Sequence, residues 1–413
     1  MSKLDNLTDF LTDVANAIRE KKGTADKINP QDFSEEISSI KTEIESLPVN
    51  DVTFYDYDGI VLYSYTKEEF LALTEMPPLP TRKGLICQEW NWDYQDAIDY
   101  VAEYGILDVG ATYITDDGKT RLYIRIASNV NLDTSLCFYQ SVDRGVNIDW
   151  GDGSPIETVS GTKFINTSHR YNSIGDYVIS LDCLAGKMRL GNNTESYCVM
   201  GETSSDNLKN SSKLYRVEFG ANTELYSSFT FENCRSLISV TLHNKIPEMS
   251  PATFSNCRSL KHIAFPRKIT GYCSQVLGTC TSLVSVSINK TCNTAEYMVY
   301  NNHAIQRLII PPMVKKIERY YISNSNSLTF LIIPKSVNTI NAYAFSGALC
   351  MKYYDFSHLE AIPTLENVNA FSGIPDDCKI IVPDALYDEW IAATNWSTYA
   401  SYIIRKTDWD SQK

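Results

Sequence analysis

Apolar positions recur in register from Leu214 to about Phe356. Anchor residues follow one another at steps of 22 or 23 residues: Leu214, Leu237, Leu260, Leu283, Ile305, Leu328 and Met351. Two further ladders lie six and three residues before the anchors: Phe231, Phe254, Leu277, Val299, Ile322 and Phe345, then Cys234, Cys257, Cys280, Asn302, Ser325 and Ala348. A fixed period in this range predicts a solenoid of stacked repeats.

Each repeat also has apolar residues three and five positions after its anchor, as in Leu260, Ile263 and Phe265. Side chains alternate along a strand, so these two positions share one face of a short strand. One repeat cannot bury that face alone, so neighbouring repeats must stack into a continuous core. The text N-C-R-S-L at 233–237 and 256–260 resembles the BspA-like leucine-rich repeats. That resemblance implies a leucine-rich solenoid, which we expect at residues 205–373.

The positions two and four residues after each anchor should face outward from the strands. They are small or polar in repeats two to four, and they turn apolar in the last three repeats. Exposed apolar patches usually mark a contact surface. The pattern therefore predicts a partner-binding patch at Arg307, Ile309, Phe330, Ile332 and Tyr353. The alternative is that a C-terminal helix folds back over these residues.

Residues 1–47 are predicted to form a helical leader with coiled-coil-like spacing. Its apolar residues step by three and four: Leu4, Leu7, Leu11, Val14, Ile18, Phe33, Ile37, Ile40 and Ile44. Isolated helices of this length are marginal in water, so the leader should dock on a larger assembly or form a homo-oligomer, with a trimer favoured. A two-helix cap on the chain's own body is the alternative. Residues 17–37 resemble an element near the start of phage tail and fibre proteins.

Residues 50–127 are predicted to form a small α/β module. A hairpin should turn at Asp58-Gly59, because this dipeptide favours the tight turn between two strands. Helices are expected at 67–73 and 96–104, and a last strand at 121–127. The text V-T-F-Y-D-Y-D-G resembles a module that occurs beside BspA-like repeats in bacterial and phage proteins.

Residues 128–195 are predicted to form a β-sandwich. The text W-G-D-G at 150–153, followed by H-R-Y at 169–171 and G-D-Y at 175–177, resembles the polycystic-kidney-disease-type immunoglobulin-like domain. That resemblance implies a spacer, or a module that faces carbohydrate or protein. Residues 374–413 should cap the solenoid, with a last strand at 378–383 and a helix at 384–393. The fold class is thus multidomain and β-rich.

Charge and motif content narrow the function. The net charge of −13 argues against nucleic acid as a partner, because phosphate contacts need clustered Lys and Arg. No apolar run approaches 18 residues, and the first residues lack the apolar core of a signal peptide, so we expect a chain made in the cytosol without membrane insertion. Eleven cysteines without a C-x-x-C pair are expected to be structural thiols.

Candidate catalytic chemistry is sparse. The five histidines lack metal-ligand spacing, and no nucleophile elbow or phosphate-binding loop is present. Asp149, Asp152 and Asp176 are weak calcium candidates, but turn formation is the favoured interpretation of these aspartates. The sequence therefore predicts no enzyme and no cofactor.

Two functions remain. One is a virion-surface protein of a bacteriophage, such as a tail fibre or baseplate component, that docks by its leader and contacts a host protein or glycan by its solenoid. The other is a BspA-like bacterial surface adhesin.

Overall fold

The computed structural model describes residues 50–412, apart from short gaps at 143–144, 162–163, 192–197, 202–209, 226–228, 247–248, 250, 268, 270–273 and 294–297. Contacts divide the chain into two units, Met1–Asn50 and Asp51–Lys413. The predicted leader helices, with their nine apolar residues, lie outside the described residues.

A four-stranded sheet with two helices begins the second unit. Its strands are β1 (Val52–Tyr55), β2 (Val61–Tyr65), β3 (Leu85–Trp90) and β4 (Leu107–Thr115), in the order β2-β1-β4-β3. β1 and β2 form the antiparallel hairpin expected at the Asp-Gly turn, with Gly59 at φ 90°. Helices α1 (Lys67–Leu71) and α2 (Tyr94–Tyr104) begin after Thr66 and Asp93, whose side chains accept hydrogen bonds from first-turn N–H groups. We call residues 51–115 the aromatic module.

Seven further strands lie in two facing sheets. They are β5 (Thr120–Ile126), β6 (Asp133–Gln140), β7 (Val146–Asp149), β8 (Glu157–Val159), β9 (Phe164–Arg170), β10 (Gly175–Cys183) and β11 (Met188–Leu190). One sheet has the order β5-β10-β7-β8 and the other β11-β6-β9. The strand expected to end the α/β module is therefore β5 of this sandwich. β5 belongs to the sandwich because it pairs with β10 over seven residues. The periodicity of a strand alone does not predict which sheet the strand joins.

The repeats supply short parallel strands. They are β12 (Leu214–Glu218), β13 (Thr223–Leu225), β14 (Ser239–Thr241), β15 (His262–Ala264), β16 (Ser285–Ser287), β17 (Lys316–Ile317), β18 (Phe330–Ile332), β19 (Thr339–Ile340), β20 (Tyr353–Asp355) and β21 (Thr364–Leu365). All seven predicted anchors are fully buried, as are the ladder residues six positions before them, apart from a trace of exposure at Phe345. The register read from the sequence is therefore the register of the core.

The ladder three positions before the anchors has a hydrogen-bonding role at several of its members. The Cys280 thiol donates to the carbonyl oxygen of Phe254 at 3.1 Å, one repeat earlier. Asn302 Nδ2 and Ser325 Oγ make the equivalent bonds to Leu277 and Val299 at 3.0 and 2.8 Å. Cys, Asn and Ser replace one another here because each is a small donor, and an unpaired buried carbonyl would be costly.

The residue four positions before each anchor from Leu237 onward adopts the left-handed backbone conformation. The φ angles are 62° at Asn233 and Asn256, 59° at Thr279, 58° at Asn324 and 73° at Gly347. Asn and Gly tolerate this region best, which explains the asparagine of the N-C pair.

Sandwich and solenoid share sheets and one core. β12 pairs antiparallel with β5 and parallel with β14, so the first repeat extends one sandwich sheet. β13 pairs with β11 and extends the other. The sandwich thereby covers the first end of the repeat stack, and a single buried apolar cluster runs from Leu122 to Ile403.

The other end of the stack closes with two more parallel strands and two short helices. β22 (Lys379–Val382) pairs with β20, and β23 (Ile403–Arg405) pairs with β22. The last strand is thus β23, not the expected 378–383 segment, and the expected helix at 384–393 is reduced to α3 (Tyr387–Trp390). Helix α4 (Lys406–Asp410) follows β23. The rings of Trp390 and Trp396 lie 5.3 Å apart and both contact Phe356, which seals the core.

Candidate functional site

The outward-facing strand positions of repeats two to four are buried. These positions, which we call the strand face, are at most 6% exposed: Ser239, Thr241, His262, Ala264, Ser285 and Ser287. The expectation that they face solvent is wrong, because the aromatic module lies across them. The alternation of side chains along a strand predicts on which side of the strand each residue lies, but it does not predict which other segment of the chain covers that side.

Strand β4 makes the closest approach to the strand face. A Cβ placed on Gly110 would lie 2.3 Å from the Ala264 Cβ and 3.0 Å from the Ser287 Cβ, so only glycine fits there. Small side chains on repeats two to four permit this approach. β4 is also held at its C-terminal end, since the Thr115 N–H donates to the Phe219 carbonyl at 3.0 Å.

Polar atoms of the module satisfy the backbone of the repeats. Asn91 Nδ2 donates to the carbonyl oxygens of Phe265 and Ser287 at 3.0 and 2.9 Å, and Trp92 Nε1 donates to that of Ile288 at 2.8 Å. Asn91 Oδ1 in turn accepts from the Gly110 N–H at 2.9 Å. These groups are buried, so separating the module would leave several hydrogen bonds unmade.

His262 lies beneath the module. Its ring stacks on Tyr55 with centroids 4.9 Å apart, and its Nδ1 is 2.7 Å from Ser285 Oγ. Burial lowers the pKa of His262 to about 3, so the imidazole is neutral in the folded protein.

A buried ion pair joins the module to the fifth repeat. The Arg307 guanidinium contacts the Asp108 carboxylate and also donates to Thr53 Oγ1 at 3.1 Å. Asp108 is 1% exposed; burial raises the pKa of its carboxyl, and the charge of Arg307 opposes that rise. The neighbouring Ile309 is 2% exposed and belongs to the apolar core of the module.

The predicted partner-binding patch is therefore largely covered by the chain itself. The hypothesis is corrected for Arg307 and Ile309, whose contacts are internal. Ile332 also packs against the module core, and Tyr353 lies 5.2 Å from the Trp409 ring of α4, as the fold-back alternative expected. Phe330, half-buried, stacks on Tyr353 at 5.5 Å.

The three calcium candidates have separate partners. Asp149 accepts from the Gly151 N–H at 2.9 Å, and Asp176 pairs with Arg125 at 2.7 and 2.9 Å. Burial opposes ionisation of Asp152, but hydrogen bonds from Ser154 and the ring of His169 lower its pKa to about 2. Within the described part of the chain, no group of three or more His, Cys, Asp or Glu residues is arranged to hold a metal ion.

An open groove lies where the sandwich meets the first repeats. It has a volume of about 450 Å³, and we call it the serine groove; its walls are Arg125, Ala127, Ser212, Lys213, Tyr215, Ser236, Ile238 and Ser259. The sequence predictions do not include this groove, although an Arg-Ser pair recurs directly before Leu237 and Leu260. No helix in the described ranges is both long and apolar enough to cross a membrane.

Comparison with known proteins addresses the repeats. Residues 204–303 and 274–374 match the model of the BspA-type leucine-rich repeat region, with six copies. The chain contains a BspA-type leucine-rich repeat region. No curated protein matches the chain.

Two solved structures are similar to parts of this chain. A leucine-rich repeat protein from Bacteroides ovatus is 17% identical, with a TM-score of 0.29, over 48% of this chain and 67% of that one. The leucine-rich repeat protein of T. pallidum is 16% identical, with a TM-score of 0.21, over 35% of this chain and 75% of that one.

Proposed function

We propose that this chain is a non-enzymatic, surface-associated binding protein of the BspA-like kind. The observation that carries the proposal is the BspA-type repeat region at 204–374. The architecture is in keeping with it, since a single core from the sandwich to the C-terminal cap makes a rigid body that presents side chains on its outer surface.

The finer domain assignments belong to the same proposal. We take the two-sheet segment as the immunoglobulin-like domain that its W-G-D-G text resembles, and we assign it the role of first-end cap for the repeats. Because the aromatic module covers the strand face, we place the binding surface elsewhere on the solenoid. Partners are then a surface protein or a glycan.

A virion-surface role for a bacteriophage is the second candidate. The resemblance of residues 17–37 to phage tail and fibre proteins favours it, as does the heptad-like spacing of the leader. In that case the leader assembles the chain, with a homotrimer as the favoured state. The repeat region by itself favours the bacterial surface protein.

Labelling of intact cells tests the proposal. Antibodies raised against residues 51–413 should label unpermeabilised cells of the source organism, and brief protease treatment of those cells should remove the signal. Signal only after permeabilisation would contradict a surface location. Labelling of purified phage particles from the same culture, with bare cells unlabelled, would establish the virion alternative.

A further inference from the structure

The serine groove combines hydroxyl groups with one aromatic and one aliphatic side chain. Ser236 and Ser259 occupy the same position in consecutive repeats, 23 residues apart, and Ser212 lies beside them in the groove wall. Ile238 is 41% exposed, and the Tyr215 ring lies 5.6 Å from the Arg125 guanidinium. A ligand with hydroxyl groups and apolar C–H faces suits such walls.

Positively charged residues lie next to the groove residues along the chain. Arg235 and Arg258 directly precede the two repeat serines, and Lys261 follows Leu260 by one position. All three side chains are exposed, and none has a carboxylate within ion-pair distance among the described residues. Arg258 Nε donates to the amide oxygen of Asn256 at 2.7 Å, and this neutral acceptor does not compensate the charge.

The spacing of these cations is unfavourable without a counter-charge. Adjacent parallel strands lie about 4.8 Å apart, so equivalent positions of neighbouring repeats place like charges side by side. The whole chain carries a net charge of −13, and many of its other cations are ion-paired, as Arg125 is with Asp176. A row of cations that have no carboxylate partner among the described residues, next to a hydroxyl-lined groove, is therefore locally positive in an acidic chain and fits an anionic ligand.

We propose that the serine groove and its cationic border bind an acidic polysaccharide, one that carries carboxylate or sulfate groups on successive sugars. The guanidinium groups of Arg235 and Arg258 would bind the anionic groups, because the planar fork of Arg matches a carboxylate or sulfate. The serines would bond sugar hydroxyls, and Tyr215 and Ile238 would contact the sugar C–H face. This site rests on the proposed surface function and gives it a ligand class.

Immobilised polymers of defined charge test this site on the full chain. Polygalacturonate carries carboxylates, dextran sulfate carries sulfates, dextran is neutral, and poly-glutamate is a polyanion without sugars. We expect binding to polygalacturonate or dextran sulfate and none to dextran, with about tenfold weaker binding when NaCl rises from roughly 50 to 200 mM. Absence of binding to both acidic polymers at the lower salt would overturn the proposal, and equal binding to poly-glutamate would overturn its polysaccharide part.

Two pairs of charge reversals locate the binding surface. Arg235→Glu with Arg258→Glu should weaken binding by at least about tenfold, because two attractions become repulsions. The control, Lys83→Glu with Lys315→Glu, makes the same charge change at two exposed lysines outside the groove walls and should alter binding less than about twofold. Equal effects of the two pairs would show non-specific attraction and overturn the site.

Tyr215→Ala tests the sugar contact separately from charge. It should weaken polygalacturonate binding while leaving the salt dependence unchanged, and unaltered affinity would remove the ring from the site. Thermal unfolding of every variant establishes that it is folded. Labelling of cells by antibodies against the wild-type protein does not depend on these polymers. Failure of the ligand proposal is therefore distinguishable from failure of the surface function.

Discussion

Packing at Gly110 gives the most specific prediction about the covered strand face. Gly110→Ala places a methyl group 2.3 Å from the Ala264 Cβ, whereas carbon atoms in contact lie about 3.5–4.0 Å apart. The overlap exceeds 1 Å by this comparison and involves backbone-attached atoms that cannot rotate away. Overpacking of this kind costs about 1–3 kcal/mol, and we expect a loss near 3 kcal/mol in the free energy of unfolding.

A compensating substitution separates this clash from general damage. Ala264→Gly removes the opposing methyl group and should cost about 0.5–1 kcal/mol alone, the usual penalty for glycine in a strand. Combined with Gly110→Ala, it leaves Ser287 as the nearest obstacle at 3.0 Å. The double variant should therefore be more stable than Gly110→Ala alone, with a coupling energy of about 2 kcal/mol.

Urea unfolding of the full chain measures all four members of this cycle. Tryptophan fluorescence is suitable because Trp90 and Trp92 lie in the module. The control is Gly84→Ala, which has open space around its added Cβ and a φ of +78°, so its strain is independent of Ala264. If the effects of Gly110→Ala and Ala264→Gly are additive within about 0.5 kcal/mol, the strand face is not covered by β4.

Three further predictions concern charge, pH and thiols. Arg307→Met should lower the free energy of unfolding by about 3–5 kcal/mol, because it leaves the buried Asp108 carboxylate without its partner. Arg170→Met breaks an exposed ion pair and should cost less than about 1 kcal/mol. Equal losses in urea titrations would contradict the buried pair. The free energy of unfolding should fall as pH drops from about 6.5 towards 3, because the unfolded chain binds a proton on His262 that the folded chain excludes; this residue contributes at most about 1.4 kcal/mol per pH unit. His262→Gln should flatten this slope, and an unchanged slope would refute the buried, neutral state of His262. In the native protein, a thiol reagent followed by mass spectrometry should label the exposed Cys350 and spare the buried Cys257 until denaturant is added, and early labelling of the latter would contradict the packed ladder.

The repeat core was predictable because its signal is local and periodic. Every anchor from Leu214 to Met351 is buried as the spacing requires. The outward positions were mispredicted because their environment depends on a segment more than 100 residues earlier in the chain. Gly110 and Asn91, which fit the strand face, have no periodic signature that would reveal their partners.

The candidate site was also predictable only in part from the sequence. The patch expected at Ile309 and Phe330 rests on the apolar character of these residues. Exposed contact surfaces and covered internal surfaces are both apolar, so this character does not distinguish them. The change from small residues in repeat four to Arg307 in repeat five did contain information, since it marks where the close approach of Gly110 is replaced by the ion pair between Arg307 and Asp108. The serine groove forms where a sandwich strand meets the first three repeats, and periodicity within the repeats does not predict that contact.

Accessibility of His262 tests the central claim most directly. Diethylpyrocarbonate modifies accessible neutral imidazoles, and mass spectrometry of the native full chain locates the modified residues. We expect His262, which is fully buried beneath Tyr55, to stay unmodified while the exposed His303 is modified. Modification of His262 at a rate similar to that of His303 would show that the strand face is open to solvent and would contradict the account.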